Sequence, residues 1–430
     1  MRIAVFRLRE YLRSSLWFLP ALFVLGSVAL WAAVGALDEH LADDSPLAYG
    51  GGPDGAQELL SAIATSMIAF TGVVFSITIV VLQLASSQFS PRVLRTFLRD
   101  RGTQGSLGVF IATFVYALLV LRDVRTQTID QSSYVPGVSV SMALVVLAVS
   151  LGMFVYYIHH VARAIRVAWI LDAVADETRA VIDHEFPVDA GDDGRDRAVP
   201  DGPPTDLFPA PRPGILLAVD RHALVRLAHD AGCVLVLERA VGDFAVSNTS
   251  LLSVHGATLS AQQRDTVSEA IVIGIERTME QDPAFGFRQI VDIAVRGLSP
   301  AVNDPTTAVQ CLDHLHDFLQ LLVSRPFRSG KLLDADGALR VVLPAPSWDD
   351  FLDLAFQEIR HYGAGSIQVM RRIRAALDDL AAAAPPDRLP AIEHHARALD
   401  EAVARDFSAA DQRVLARRPD HQGLGSTVTG

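Results

Sequence analysis

Four long stretches without charge in their interiors lie within the first 160 residues, at 16–37, 59–85, 105–122 and 138–158. This placement constrains the chain more than any other feature. A helix needs about 20 mostly apolar residues to cross a bilayer. Lipid offers the backbone no hydrogen-bond partners, so such stretches must satisfy their own amides as helices. The expected fold is a mainly α membrane protein: a four-helix transmembrane domain over 1–160, followed by a cytoplasmic α+β domain with C-terminal helices. The first stretch runs for 22 residues, longer than the roughly 7–15 of a signal-peptide core, and is expected to be retained. The lack of charge inside the spans argues against a proton relay, a voltage sensor or a carboxylate-driven transporter.

Charge separates the chain into two parts. Residues 1–158 hold ten Arg and ten Asp or Glu, so they are neutral, and the remainder carries the whole net charge of −12. An acidic domain is a poor non-specific partner for nucleic acid. Arginine placement sets the expected orientation. Arg2, Arg7, Arg9 and Arg13 precede the first span, Arg92, Arg95, Arg99 and Arg101 lie in the second loop, and Arg163 and Arg166 follow the fourth. The first loop, 38–58, has six acids and no base. The protein thus reads as multi-pass in the cell membrane, with N- and C-termini cytoplasmic. Cys233 and Cys311 are far apart and form no CxxC, which fits reduced, buried thiols rather than a metal or redox site.

The second span repeats small and polar residues at Ser61, Thr65, Gly72, Ser76, Gln83 and Ser87. The steps of four and seven keep them on one helix face. Small residues let helix backbones approach, and hydroxyls bond across helices, so packing is the plain reading. The functional reading is a solute path lined by hydroxyls and one amide. The fourth span is expected to continue as helix through 161–188, handing movement from bilayer to the following domain.

Residues 189–213 read as a Pro- and Gly-rich linker too polar to pack. The α+β domain is expected over 214–418. Strands are expected at 214–219, 233–238, 244–246, 250–254 and 339–343. Asp220 reads as a helix cap, Ser260 with Gln263 as a capping box, and Asp282-Pro283 and Asp304-Pro305 as helix starts. The helix after Ser260 is expected to carry Val267, Ala270, Ile271 and Ile275 on one face. One helix is expected from 347 to about 383, another from about 386 to 405, and 419–430 reads as a disordered tail. His394-His395 reads as surface.

The densest polar constellation spans 276–316. Arg277, Asp282, Asp292, Arg296, Asn303 and Asp304 offer the carboxylates, guanidiniums and amide of an anion site or an acid–base site. The plainer reading is structural: Asp282 and Asp304 cap helices, and Asp292 with Arg296 forms an i,i+4 pair. The sequence has no Walker loop, no GxGxxG after a strand, no GxSxG and no HExxH. No catalytic residue, metal ligand or cofactor is assigned, and a non-enzymatic role is favoured.

Two blocks, Phe75-Ser-Ile-Thr-Ile-Val-Val-Leu-Gln-Leu-Ala-Ser-Ser-Gln-Phe-Ser-Pro-Arg-Val-Leu94 and Asp292-Ile-Ala-Val-Arg-Gly-Leu-Ser-Pro-Ala-Val-Asn-Asp-Pro-Thr-Thr-Ala308, resemble the domain-of-unknown-function 2254 family of predicted bacterial integral membrane proteins. The resemblance extends over most of the chain, more weakly after about residue 330. It implies membrane integration and supplies no activity. The leading functional expectation is a homo-oligomeric channel for an ion or small solute, or a sensor of membrane state. The alternatives are a membrane-anchored ligand-binding sensor or enzyme using the 277–304 cluster, and a scaffolding membrane protein.

Overall fold

The computed structural model describes residues 17–41, 48–88, 100–126, 134–164, 166–188 and 194–424. The arginines at 2–13 and 92–99 used for the orientation lie outside the described residues. The chain divides into two compact units, with the boundary between Ile170 and Leu171.

The first unit is helical: α1 (Phe18–Leu41), α2 (Pro53–Gln88), α3 (Arg101–Asp123) and α4 (Gly137–Ala164). All four are long and apolar enough to cross a membrane. α3 is enclosed by the others, with 56% of its apolar window buried against 17–22% in the rest. Gly108 permits this, because a Cβ there would sit 2.7 Å from the Phe23 ring. Leu60, Met67, Phe110, Tyr116 and Tyr157 fill the core, and Phe70 stacks on Phe154 at 4.6 Å. Leu25, Ile68, Val145, Val149 and Val155 point outward, as lipid-facing side chains do.

Buried polar groups in this unit find partners inside it. Thr113 and Ser150 share a hydroxyl bond at 2.7 Å. The Tyr157 hydroxyl meets Thr78 at 3.0 Å and the Val74 carbonyl at 3.1 Å. Asp38, 3% exposed, accepts from the Val138 amide at 2.7 Å and the Ser139 amide at 2.9 Å. A carboxylate on α1 therefore caps the start of α4 in place of a local N-cap residue.

The expected continuation of the fourth span is interrupted. α4 ends at Ala164 and α5 (Val167–Glu185) begins three residues later. From Leu171 on, α5 belongs to the second unit. There Thr178 is buried against Gly286, where any Cβ would collide with its hydroxyl, and Arg179 donates to Asp317 at 2.8 Å.

The second unit is α+β. A five-stranded sheet has the order β1 (Asp206–Pro209), β5 (Ser250–His255), β3 (Val234–Leu237), β8 (Leu339–Val342), β7 (Lys331–Leu333). Its β3–β8 pair is parallel and the other pairs are antiparallel. A three-stranded antiparallel sheet has the order β4 (Phe244–Ala245), β2 (Gly214–Val219), β6 (Ile271–Gly274). α6 (Arg221–Ala231) follows β2, and its Leu224 and Leu227 pack into the cluster with Leu235, Leu252, Val254 and Val341.

Two expectations fail in this region. The segment read as a linker contains β1, and its Phe208 and Ala210 enter the core. A period-2 strand can bury alternate side chains even in polar, Pro-rich sequence. The Ser260 capping box does form and starts α7 (Ala261–Ala270). However, Ile271 begins β6 rather than extending the helix. The β-branched Ile-Val-Ile run pairs with β2 and overrides the helical spacing.

The helical layer comprises α8 (Pro283–Gly297), α9 (Pro305–Leu322), α10 (Trp348–Tyr362), α11 (Ile367–Ala383), α12 (Leu389–Asp406) and α13 (Ala410–Ala416). The single helix expected over 347–383 is two, because the turn at 363–366 intervenes. Phe287 packs on Phe318 at 5.1 Å and on Phe351 at 4.9 Å. His395 is not a surface residue: it is 3% exposed and lies 5.9 Å from the Phe356 ring. Burial pushes its imidazole down to about 4. Part of the expected tail is anchored, since the Asp420 amide donates to the Arg371 carbonyl at 3.2 Å and Asp420 is buried. Residues 425–430 lie outside the described residues. Cys233 and Cys311 are free and buried, and burial raises both thiols.

Candidate functional site

The stripe on α2 faces away from the chain's own helices. Ser61, Thr65, Gly72, Ser76 and Gln83 are exposed, whereas Leu60, Ile63, Met67, Val74 and Val81 turn inward. The side chain of Ser87 lies outside the described residues. No atom lies within 4 Å of a Cβ added at Gly72, so the face takes no part in packing among the described helices.

The six residues expected in one polar cluster separate. Asp292 accepts from Arg288 at 2.6 Å, and Arg288 forks onto Glu358 at 2.5 and 2.9 Å, tying α8 to α10. Arg296 is exposed in the last turn of α8, and its carbonyl accepts from the Ser299 hydroxyl at 2.7 Å. Asn303 occupies the left-handed region at φ 49°, a conformation Asn tolerates better than most residues. Asp304 caps α9 through the Thr307 amide at 3.1 Å. Asp292, Asn303 and Asp304 therefore shape helices and a turn.

Arg277 and Asp282 have a different setting. Arg277 grips the Asp282 carboxylate at 2.5 and 3.0 Å. Asp282 also caps α8 through the Phe285 amide at 3.2 Å. Burial pushes the Asp282 carboxyl up, against the pull of the guanidinium. Gly242 passes close by at φ 97°, and a Cβ there would meet Arg277 2.6 Å away.

This pair lies in the wall of a cavity of about 980 Å³ in the α+β unit. The wall joins the first turn of α6, the loop after β3, the start of α8 and the segments flanking β7 and β8. Aliphatic side chains, among them Val219, Val225, Leu237, Leu332 and Leu343, line it. The wall also holds six Arg or Lys and five Asp or Glu, in a part of the chain whose overall balance is strongly acidic.

The charges are unevenly paired. Arg221 is matched by Glu185 at 2.6 Å and Arg277 by Asp282. Asp334 accepts from His229 at 3.0 Å, Arg340 at 2.6 Å and the Asp336 and Ala338 amides, which hold its carboxyl well below the usual range. His229, Asp334 and Asp336 come within metal-binding reach of one another. The lone pairs of Asp334 are already occupied by these donors, so the trio reads as a loop lock. Lys331, the single lysine of the chain, donates to the Arg195 and Arg197 carbonyls. Arg226, Arg239 and Arg328 are exposed and have no hydrogen-bond or ion-pair partner among the described residues. The sequence reading missed all three. They come from separate elements, and the one trace of them was a run of arginines at 221, 226 and 239 within an acidic domain.

Comparison with known proteins bears on the whole chain. Residues 13–379 match the family described as predicted membrane protein, DUF2254. The uncharacterized protein Rv1290c of Mycobacterium tuberculosis is 34% identical over 419 residues, covering 94% of this chain and 79% of the relative. The uncharacterized protein Mb1321c of Mycobacterium bovis shows the same identity and coverage. No solved structure matches. With its four long apolar helices and a family match over most of its length, the chain belongs to the DUF2254 family of predicted membrane proteins.

Proposed function

We propose that this membrane protein is a membrane-anchored ligand-binding sensor, with the cavity of the α+β unit as its receptor site for an anionic small molecule. One observation carries the reading: three guanidiniums with no partner among the described residues line a cavity of about 980 Å³ in an acidic part of the chain. Ligand sites are typically concave, mostly apolar and marked by a few convergent polar groups. The arginine bias of the sequence supports a cytoplasmic α+β unit with both termini inside, so the ligand is cytoplasmic in this reading. No side chain is assigned to catalysis. The test is thermal unfolding of the purified full-length protein against a panel of anionic, neutral and cationic metabolites. A ligand that binds only the folded state raises its stability by about 2.7 kcal/mol at a hundredfold excess over Kd. Stabilisation by anions is expected; a panel in which only cations or neutral compounds act would refute it.

A second reading is favoured by the α2 stripe. Gln83 presents a carboxamide on the same outer face as the exposed hydroxyls of Ser61, Thr65 and Ser76, with no partner among the described residues. An unsatisfied amide in hydrocarbon is costly. The face is thus suited to a homo-oligomer contact or a solute path between subunits. Gln83→Leu and Ser76→Leu are expected to shift the oligomer distribution in detergent. Planar-bilayer recording then separates contact from path, because only a path loses conductance.

A further inference from the structure

We infer that the cavity takes a ligand with a phosphate group on an apolar body, and that Arg226, Arg239 and Arg328 are its anion contacts. The inference rests on the ligand-binding reading above and names the ligand class.

Once Arg221 and Arg277 are assigned to Glu185 and Asp282, three guanidiniums in the wall remain unmatched. The carboxylates left over in the wall form no ion pair with these three among the described residues. Asp243 accepts from the Ala240 amide at 2.9 Å, and Asp350 accepts from the Ser347 amide at 2.8 Å to complete the capping box of α10. A monocarboxylate would balance one guanidinium and leave two. A phosphate monoester or a polyphosphate carries two or more charges and several acceptor oxygens, matching the planar fork of arginine in bidentate pairs.

Size supplies the second constraint. Inorganic phosphate would leave most of a cavity of about 980 Å³ empty. The aliphatic wall of Val219, Val225, Leu237, Leu332 and Leu343 calls for an apolar body of matching extent. The first turn of α6, with Arg221 and His222, also lies in the wall. The N-terminus of that helix is already capped by the Asp220 carboxylate, which accepts from the Ala223 amide at 3.1 Å, so the guanidiniums alone supply the attraction for an anion. A soluble nucleotide and a membrane phospholipid share this chemistry.

The test is isothermal titration of the full-length protein in phosphatidylcholine nanodiscs, with empty nanodiscs as blank. The probes are magnesium-free ATP, dihexanoyl phosphatidic acid, citrate and hexanoate. At least one phosphorylated probe is expected to bind more than about tenfold tighter than both phosphate-free anions. ATP binding assigns a soluble source and phosphatidic acid a lipid source. Arg226→Glu, Arg239→Glu and Arg328→Glu are each expected to weaken binding about tenfold or more. Arg397→Glu, the same charge change on the exposed surface of α12, is expected to leave it unchanged. Equal loss in Arg397→Glu, or no loss in the three cavity variants, overturns the assignment. Binding of citrate or hexanoate alone sinks the phosphate inference and leaves the sensor reading standing, whereas silence from all four probes removes both. Should a reversal fail to fold, the Arg→Gln variant at the same position takes its place.

Discussion

The helical unit and the α+β unit treat polar groups in opposite ways. In the helical unit, buried hydroxyls meet one another, as in Thr113–Ser150 and Tyr157–Thr78, and the carboxylates Asp38 and Asp100 cap helices, Asp100 also meeting His160 at 2.8 Å. In the α+β unit, full charges tie elements together, as in the Arg288 fork onto Asp292 and Glu358. The difference follows from solvent. Lipid makes an unpaired charge very expensive, whereas partly exposed ion pairs keep some hydration and gain little. Among the described residues, each unit also leaves a group of exposed polar side chains unpartnered: Ser61, Thr65, Ser76 and Gln83 on α2 in the first, and Arg226, Arg239 and Arg328 in the cavity wall of the second.

The sharpest way to break this comparison is at Asp38. Asp38→Ala strands two backbone amides at the start of α4 and is expected to cost about 3 kcal/mol, read by unfolding in detergent. A loss under about 0.5 kcal/mol would show that water replaces the carboxylate and that the site is not dry. Next in size is acid sensitivity at His395. Its folded value near 4 lies below the unfolded value near 6.5. The unfolded state therefore binds the proton more readily between those values. Stability from this group is complete above about pH 6.5 and is lost as pH falls towards 4, by about 3 kcal/mol at most. His395→Phe should flatten that part of the stability–pH curve; an unchanged slope would move its cause elsewhere.

Arg288→Met is expected to cost about 1–2 kcal/mol, discounted because Glu358 is half-exposed. The same variant in high salt discriminates: a loss that shrinks with ionic strength marks an ion pair, and one that persists marks packing of the arginine stem. The smallest expected effect is at Asn303. Asn303→Gly should change stability by only a few tenths of a kcal/mol and Asn303→Ala should cost about 1 kcal/mol, since only the second resists a positive φ. Ligand binding that changes with Asn303→Gly at constant stability would return this residue to a functional role.

Much of the fold was legible because its signals are local. The apolar runs, the Asp282-Pro283 and Asp304-Pro305 helix starts and the Ser260–Gln263 capping box all depend on residues within a turn of one another. The failures share a cause. Ile271–Gly274 is a strand because β2 lies beside it, and 206–209 is a strand because β5 does. His394 and His395 look alike in sequence, but only His395 turns towards Phe356. The candidate site divided in the same manner. Arg277 and Asp282 were visible as a short-range pair, while Arg226, Arg239 and Arg328 acquire a common setting only through the folded wall.

Membrane integration, the four apolar helices and the acidic α+β character of the remainder are written in contiguous stretches of residues. Length, hydropathy and charge are properties of contiguous residues and need no partner. Which face of α2 is left bare, which carboxylate caps α4 and which arginines line a cavity emerge only once the chain has packed. Each of those depends on groups brought together across many residues, as Asp38 and Ser139 are, and on what remains unpaired after the rest has packed.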